Sequence, residues 1–181
     1  GGALAQSPAD AWSKPVNLSR SGAADQPRIA AGSSGKAQVF WWDRFDGVTT
    51  ARFDGDEWGN PASAPLDAEA MPAIVDDGRG YAHAFWMGEA DRDTGATPLM
   101  HSQVAVGGSS WSAPQAIAES AVAFDVAAAP EGGLSLAYVR VLHDSAFPAG
   151  VYVRRNPGGG AAWGAAAAVY KTIYFRLLTA D

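Results

Sequence analysis

The sequence predicts an all-β protein built from a repeated unit of four short antiparallel strands. Two series of motifs keep a common period of about 50 residues along the 181-residue chain. A Trp-x-x-Pro motif recurs at spacings of 46, 53 and 52 residues, and its copies begin at Trp12, Trp58, Trp111 and, more weakly, Trp163. Midway between these copies an apolar segment follows a glycine, and the three glycines are Gly35, Gly80 and Gly133.

The strands of each unit follow in a fixed order. A short first strand opens at Pro27, Pro72 and Phe124. The second strand is almost continuously apolar, as in 37–41 and 82–86, which suits a strand covered on both faces. We place third strands at 49–53, 98–104 and 150–154, each followed by a Gly or Asp turn, the motif Trp and a short fourth strand. Four strands per repeat of about this length predict a β-propeller of about three four-stranded blades.

The phase of the repeat sets the expected domain organisation. Residues 1–11 form a flexible N-terminal arm, and residues 12–181 form the propeller. Within it we expect a closing outer strand in 12–26, blades in 27–71, 72–123 and 124–173, and the first strand of a further blade in 174–181. Partial strands at both ends indicate an incomplete ring, which either missing C-terminal blades of a longer chain or a homo-oligomer would complete.

Composition excludes several classes of partner. The chain has 19 acidic and 13 basic residues without charge blocks, which argues against nucleic acid. It has no Cys, and no apolar run approaches the length that a membrane span needs. Residues 3–5 (Ala-Leu-Ala) before Gln6 resemble the end of a cleaved signal peptide, so we expect an extracellular, cell-surface or periplasmic protein.

Residues 71–86 and 107–114 resemble the repeats of sialidase-like β-propellers of the Asp-box (BNR) type. Residues 54–58, 107–111 and 158–163 occupy the position of that family's box but lack its Ser, Asp and Thr pattern, so the match is to a degenerate form. The resemblance implies an arginine triad for a carboxylate, an acidic proton donor and a Tyr paired with Glu. Arg28 in Arg-Ile-Ala matches the family's Arg-Ile-Pro except for Ala30, and Arg176 is a similar near-match. A strand arginine reaching solvent is the alternative reading of Arg28.

Two further clusters are candidate sites. Glu89, Asp91 and Asp93 alternate before a glycine in the loop after the second strand of the second blade, a pattern of oxygens that could hold calcium. The alternative is a set of solvated turn acids. Trp42, next to Asp43 and Arg44, lies outside the repeat pattern and is a candidate ligand-binding group. The histidines are too few and too dispersed to predict a metal site; they are His83, His101 and His143.

These observations predict a non-catalytic, exported propeller that presents loops to a protein or a carbohydrate, without an obligatory cofactor. One alternative is that the chain forms the N-terminal blades of a sialidase-type glycoside hydrolase. A second is a structural subunit that packs into a larger assembly through its exposed blade faces.

Overall fold

A computed structural model describes residues 13–32, 34–141 and 148–171 of the chain. This part contains twelve strands and no helix, and hence no helix that could cross a membrane. The strands form three four-stranded antiparallel sheets, each in chain order. The first sheet comprises β1 (Ala24–Ala31), β2 (Ala37–Asp43), β3 (Gly47–Phe53) and β4 (Ala62–Ser63). The second comprises β5 (Ala73–Asp76), β6 (Tyr81–Met87), β7 (Leu99–Ala105) and β8 (Gln115–Ala118). The third comprises β9 (Ala123–Ala128), β10 (Leu134–Arg140), β11 (Gly150–Asn156) and β12 (Ala167–Lys171).

The all-β class and the repeat of four-stranded sheets are confirmed, while the two ends of the prediction are not. Residues 13–23 form no strand, and β1 already begins at Ala24, inside the segment 12–26 that we expected to be a closing outer strand. The further strand expected in 174–181 lies outside the described residues. The described residues form three sheets and no closed ring.

The third sheet is shifted by one residue relative to the sequence superposition. Matching backbone hydrogen bonds close the turns before the second strands, from Gly35 to the carbonyl of Gly32 and from Gly132 to the carbonyl of Ala129. Gly132, and not Gly133, therefore corresponds to Gly35. As a consequence Tyr138 takes the position that Trp41 and Trp86 hold in the first two sheets, and these three aromatic side chains are all buried.

The sheets stack through large side chains that alternate along the second strands. Phe40 of the first sheet is fully buried against Ala82 and Val104 of the second, and Phe85 of the second is fully buried against the third. Each phenyl ring meets the motif Trp of the next sheet edge-on. The ring centroids of Phe40 and Trp111 are 5.9 Å apart. Phe85 lies 5.7 Å from Trp163, measured between ring centroids. The motif tryptophans at these two positions are therefore packing residues.

Neighbouring sheets also contact each other through their first strands, β1 with β5 and β5 with β9. Two of the first strands, β1 and β9, are mostly exposed, because first strands lie at one edge of each sheet. At the opposite edge lie the short fourth strands. The connections 44–46 and 88–98 and the end of β10 at Arg140 lie at the same end of the stack, which we call the loop end.

Candidate functional site

Two of the candidate clusters that the sequence indicates lie at the loop end, each at its own sheet. Trp42, Asp43 and Arg44 lie where β2 ends, and the acidic segment from Glu89 follows the end of β6. Arg140 occupies the corresponding place at the end of β10. These three positions are equivalent in the repeat, because each lies at the end of the second strand of its sheet.

In the first cluster the carboxylate of Asp43 is committed to the turn. Asp43 is 2% exposed, and it accepts hydrogen bonds from the hydroxyl of Ser21 and from the N–H of Phe45 at 2.9 Å. The Ser21 hydrogen bond, with that of Phe45, holds the pKa of Asp43 below its ordinary value. Trp42 is half-buried on the face that it shares with Phe40, so Arg44 is the exposed member of the cluster.

The acidic loop is organised around Asp91. Its carboxylate accepts from the hydroxyl of Thr94 at 2.8 Å and from the N–H groups of Thr94 and Asp93 at 2.7 and 3.1 Å. The hydroxyl bond lowers the pKa of Asp91. Glu89 instead lies 4.0 Å from Arg92, with both side chains exposed. Among the described residues no group of three His, Asp or Glu side chains is arranged to hold a metal ion, so calcium at this loop stays a prediction from the sequence.

Of the two arginines of the family resemblance, the structure describes only Arg28. Arg28 lies exposed in β1, opposite Phe40, and donates to the carbonyl of Pro27 at 3.0 Å. Arg176 lies outside the described residues.

A cleft between the second and third sheets gathers a different set of polar groups. It has a volume of about 350 Å³ and is bounded by the fourth strand of the second sheet and by β10 and β11 of the third. Its polar lining comes from four side chains, Glu119, Tyr138, Arg140 and Arg154. The rest of the lining is apolar and consists of Ala116, Ile117, Ala118, Ala165 and Ala166.

Strand alternation explains why these groups converge. Leu136, Tyr138 and Arg140 lie on one face of β10, and the register places Arg154 of β11 opposite Leu136 on that same face. Arg154 reaches across to the second sheet, because its Nη1 donates to the carbonyl of Ile117 and its Nε donates to the carbonyl of Gly164 at 2.8 Å. The guanidinium group is thereby fixed at the wall of the cleft.

Tyr138 lies between the two cationic groups. It is 4% exposed, and its ring stacks on that of Tyr152 with centroids 5.6 Å apart. Burial raises the pKa of Tyr138, although the positive charges of Arg154 and Arg140 act in the opposite direction. Tyr138 therefore stays a neutral hydroxyl close to two guanidinium groups at physiological pH.

The cleft continues into a second hollow of about 530 Å³ at the loop end, with Ala116, Glu119 and Arg140 common to both. Glu89, Asp91, Thr94 and Ser120 line this outer part. A positive inner part thus opens through an acidic rim, and both hollows lie between the same two sheets.

The sequence interpretation missed Arg140, Arg154, Tyr138 and Glu119. The strands that carry the two arginines were predicted, and Arg154 was placed at the end of a third strand. The sequence does show that Arg140 and Arg154 follow Leu136 and Tyr152 at even spacing along their strands. Only the pairing register shows that the two arginines share a face.

Neither a protein-family model nor a curated protein matches the chain. Among solved structures the chain is similar to a polysaccharide lyase of the ulvan lyase type, whose structure contains bound -[GlcA(1-4)Rha3S]-. The two chains are 14% identical, with a TM-score of 0.49 over 87% of this chain. The match spans 39% of the lyase chain.

Proposed function

We propose that this chain is a non-catalytic β-propeller scaffold that binds an acidic carbohydrate in the cleft between its second and third sheets. The observation that carries the proposal is the convergence of Arg140, Arg154 and Tyr138 in one cleft of about 350 Å³. That volume is in the range of small-ligand sites, and a mostly apolar lining with a few convergent polar groups is typical of them.

The chemistry of the polar groups favours a carboxylate or sulfate ligand. Guanidinium groups offer paired N–H donors that match such anions, and hydrogen bonds between charged groups are about twice as strong as neutral ones. Arg154 is held by the two carbonyls described above, so its position is set before a ligand arrives. The phenol of Tyr138 adds a neutral hydrogen-bond donor to the cleft.

The scaffold part of the proposal extends the three sheets to a propeller of the degenerate Asp-box type. Supporting it are the adjacent first strands and the Phe-to-Trp contact that repeats from one sheet to the next. Further blades or further copies of the chain would complete the ring. An exported protein, at the cell surface, outside the cell or in the periplasm, would meet polysaccharides there.

Binding of an oligogalacturonate, with a neutral malto-oligosaccharide of equal length as the reference, tests the function. Isothermal titration at physiological salt limits unspecific attraction between charges. We expect Tyr138→Phe to weaken binding about fivefold and Arg154→Lys by about tenfold or more, because one neutral and one charge-assisted interaction are lost. Arg155→Lys is the matched control, since Arg155 follows Arg154 in β11 but faces the other side.

Equal affinity for the neutral and acidic oligosaccharides would contradict the proposal. So would an equal loss in the Arg154 and Arg155 variants. Thermal denaturation of each variant shows whether the fold is kept, because Arg154 also links the two sheets.

The sialidase-type glycoside hydrolase is the alternative, and one observation favours it. The cleft contains a Tyr, a Glu and two Arg, the residue types that the family resemblance implies. Turnover of a fluorogenic sialoside that is lost in Tyr138→Phe would replace a binding scaffold by an enzyme. If Arg28→Ala abolished that turnover as well, the site would have to include the exposed arginine of β1.

A further inference from the structure

Three buried polar side chains of the second sheet form a row of contacts on the face that packs against the third sheet. A carboxylate oxygen of Asp77 lies 3.5 Å from Nε2 of His83, and Nδ1 of His83 lies 2.9 Å from Nε2 of His101. All three residues are at most 1% exposed. The third sheet contacts this row of side chains at both of its ends, at Asp77 and at His101. The N–H of Gly159 donates to Asp77 at 2.7 Å, and Trp163 meets His101 edge-on with ring centroids 5.5 Å apart.

The carboxylate determines where we assign the protons of the two rings. Nε2 of His83 makes no hydrogen bond among the described residues, but the carboxylate of Asp77 lies 3.5 Å from it, and this charge favours a proton on Nε2, so that Nδ1 of His83 accepts from the Nε2–H of His101. Nδ1 of His101 then carries no proton. This atom is buried and has no hydrogen-bond partner among the described residues. A second proton on His101 would place a positive charge against aromatic rings with no acceptor for it.

Few charged groups face the two rings. Asp77 and Asp76 approach His83 from the turn that precedes its strand, while Arg79 of that turn donates to the carbonyl of Glu131 at 3.1 Å. On β6 and β7 the neighbouring side chains are Phe85 and the neutral Gln103, and the third sheet contributes the indole of Trp163. Burial lowers the pKa of both histidines, that of His101 to about 3.

The loop that these groups hold also forms a wall of the cleft. Trp163 is followed by Gly164, whose carbonyl accepts from Arg154 at 2.8 Å, and then by Ala165 and Ala166 in the cleft lining. We call residues 157–166 the wall loop. It is fastened at Gly159 by Asp77 and at Trp163 by His101 and Phe85.

We propose that His101 is a positioning residue for the cleft, which seats Trp163 while neutral and releases the wall loop, and Arg154 with it, on protonation. The released state exposes the imidazole, which then takes up a proton near its ordinary pKa of about 6.5. Below that pH the opening equilibrium increases about tenfold per pH unit for each histidine that gains a proton only in the open state. The identity of the ligand in the cleft rests on the proposed function, whereas the movement of the wall loop is independent of it.

Hydrogen exchange measured by mass spectrometry tests the movement without any ligand. We expect the protection of residues 157–166, corrected for intrinsic exchange, to fall about tenfold per pH unit below about pH 6.5. The equivalent loop of the second sheet, residues 106–114, is the internal control. It is fastened by Gln38, whose Oε1 accepts from the N–H of Gly107 at 3.2 Å, and its protection stays constant. Equal protection of the wall loop at pH 7.5 and pH 5 would overturn the proposal.

The double variant H83Q/H101T separates positioning by a titrating group from plain packing. It introduces into the second sheet the residue types that the first sheet has at the same positions, Gln38 and Thr50. We expect its wall loop to lose the pH response and its oligogalacturonate affinity to stay constant between pH 7.5 and pH 5, whereas the wild-type affinity falls over that interval. His143→Ala should keep the wild-type response. A pH response retained by the double variant would exclude the histidines as its cause.

These measurements also keep the two proposals apart. A wall loop that opens as expected in a chain that binds no acidic sugar at any pH would remove the proposed function and leave the positioning role. If the double variant fails to fold, the comparison of residues 157–166 with 106–114 in the wild type decides the question.

Discussion

The two interfaces between the sheets have the same geometry but different chemistry. Between the first and second sheets, Gln38 accepts a hydrogen bond from the N–H of Gly107 and donates one to the hydroxyl of Thr50 at 3.0 Å, so these three groups are all neutral. Between the second and third sheets, Gly159 donates to the carboxylate of Asp77, and two histidines take the positions of the glutamine and the threonine. Equivalent positions of the repeat therefore hold the neighbouring loop with neutral groups in one interface and with titratable groups in the other.

The difference follows from the turn before the second strand. Asp77 bonds through its N–H to the carbonyl of Tyr81, and Gly32 bonds in the same way to Lys36, so Gly32 stands where Asp77 does. Without a carboxylate at that place, the longer side chain of Gln38 reaches Gly107 itself. In the second sheet the N–H groups of Tyr81, Gly159 and Arg79 hold the pKa of Asp77 low although burial acts to raise it. The second interface thus keeps a buried negative charge.

The largest expected effect concerns the packing that both interfaces share. Phe40→Ala and Phe85→Ala should each lower the free energy of unfolding by about 3–5 kcal/mol, because each removes a fully buried ring. Phe85 should cost more, since it contacts His101, Phe124 and Trp163. Urea denaturation monitored by circular dichroism measures both values. A smaller loss for Phe85→Ala would show that the first interface is the tighter one.

Much of this packing was predictable from the sequence, whereas the chemistry between sheets was not. The apolar runs predicted the second strands, and the Trp-x-x-Pro motif placed Trp111 and Trp163 at one repeated position, because both features are visible in local composition. The one-residue shift of the third sheet was not predicted, because Gly132 and Gly133 are adjacent and both adopt positive φ, at 90° and 92°. The composition of the turn does not show which of the two takes the position of Gly35.

The cleft and the histidine chain depend on contacts between residues far apart in sequence. His83 and His101 were correctly placed on a second and a third strand, but their pairing depends on the register of β6 with β7. Asp77 and Gly159 lie 82 positions apart and meet only when the second and third sheets stack. The clusters that the sequence singled out, around Asp43 and Asp91, turned out to be compact because they fold their own turns.

The next effect in size distinguishes the two interfaces by pH. Burial lowers the pKa of His101 to about 3, so the unfolded chain binds its proton first as the pH falls. The contribution of His101 is complete above about pH 6.5 and is lost from there toward about pH 3, at about 1.4 kcal/mol per pH unit. Between pH 6.5 and pH 5, His101 alone should make the wild type lose about 2 kcal/mol more than H83Q/H101T, as measured by urea denaturation, and His83, whose pKa burial also lowers, adds to this difference. Parallel curves for the two chains would mean that the histidines are already protonated in the folded state.

The smallest effect tests the neutral interface. Thr50→Val removes the hydroxyl that accepts from Gln38 and donates to the carbonyl of Val39 at 2.9 Å, while the side chain keeps its shape. A buried amide without its acceptor should cost about 1–2 kcal/mol. Because the amide of Gln38 and the hydroxyl of Thr50 do not titrate, the cost should be the same at pH 5 and pH 7.5 in urea denaturation. A cost that grew toward pH 5 would mean that the first interface also responds to protons. The two histidines would then not explain why the two interfaces differ in their pH dependence.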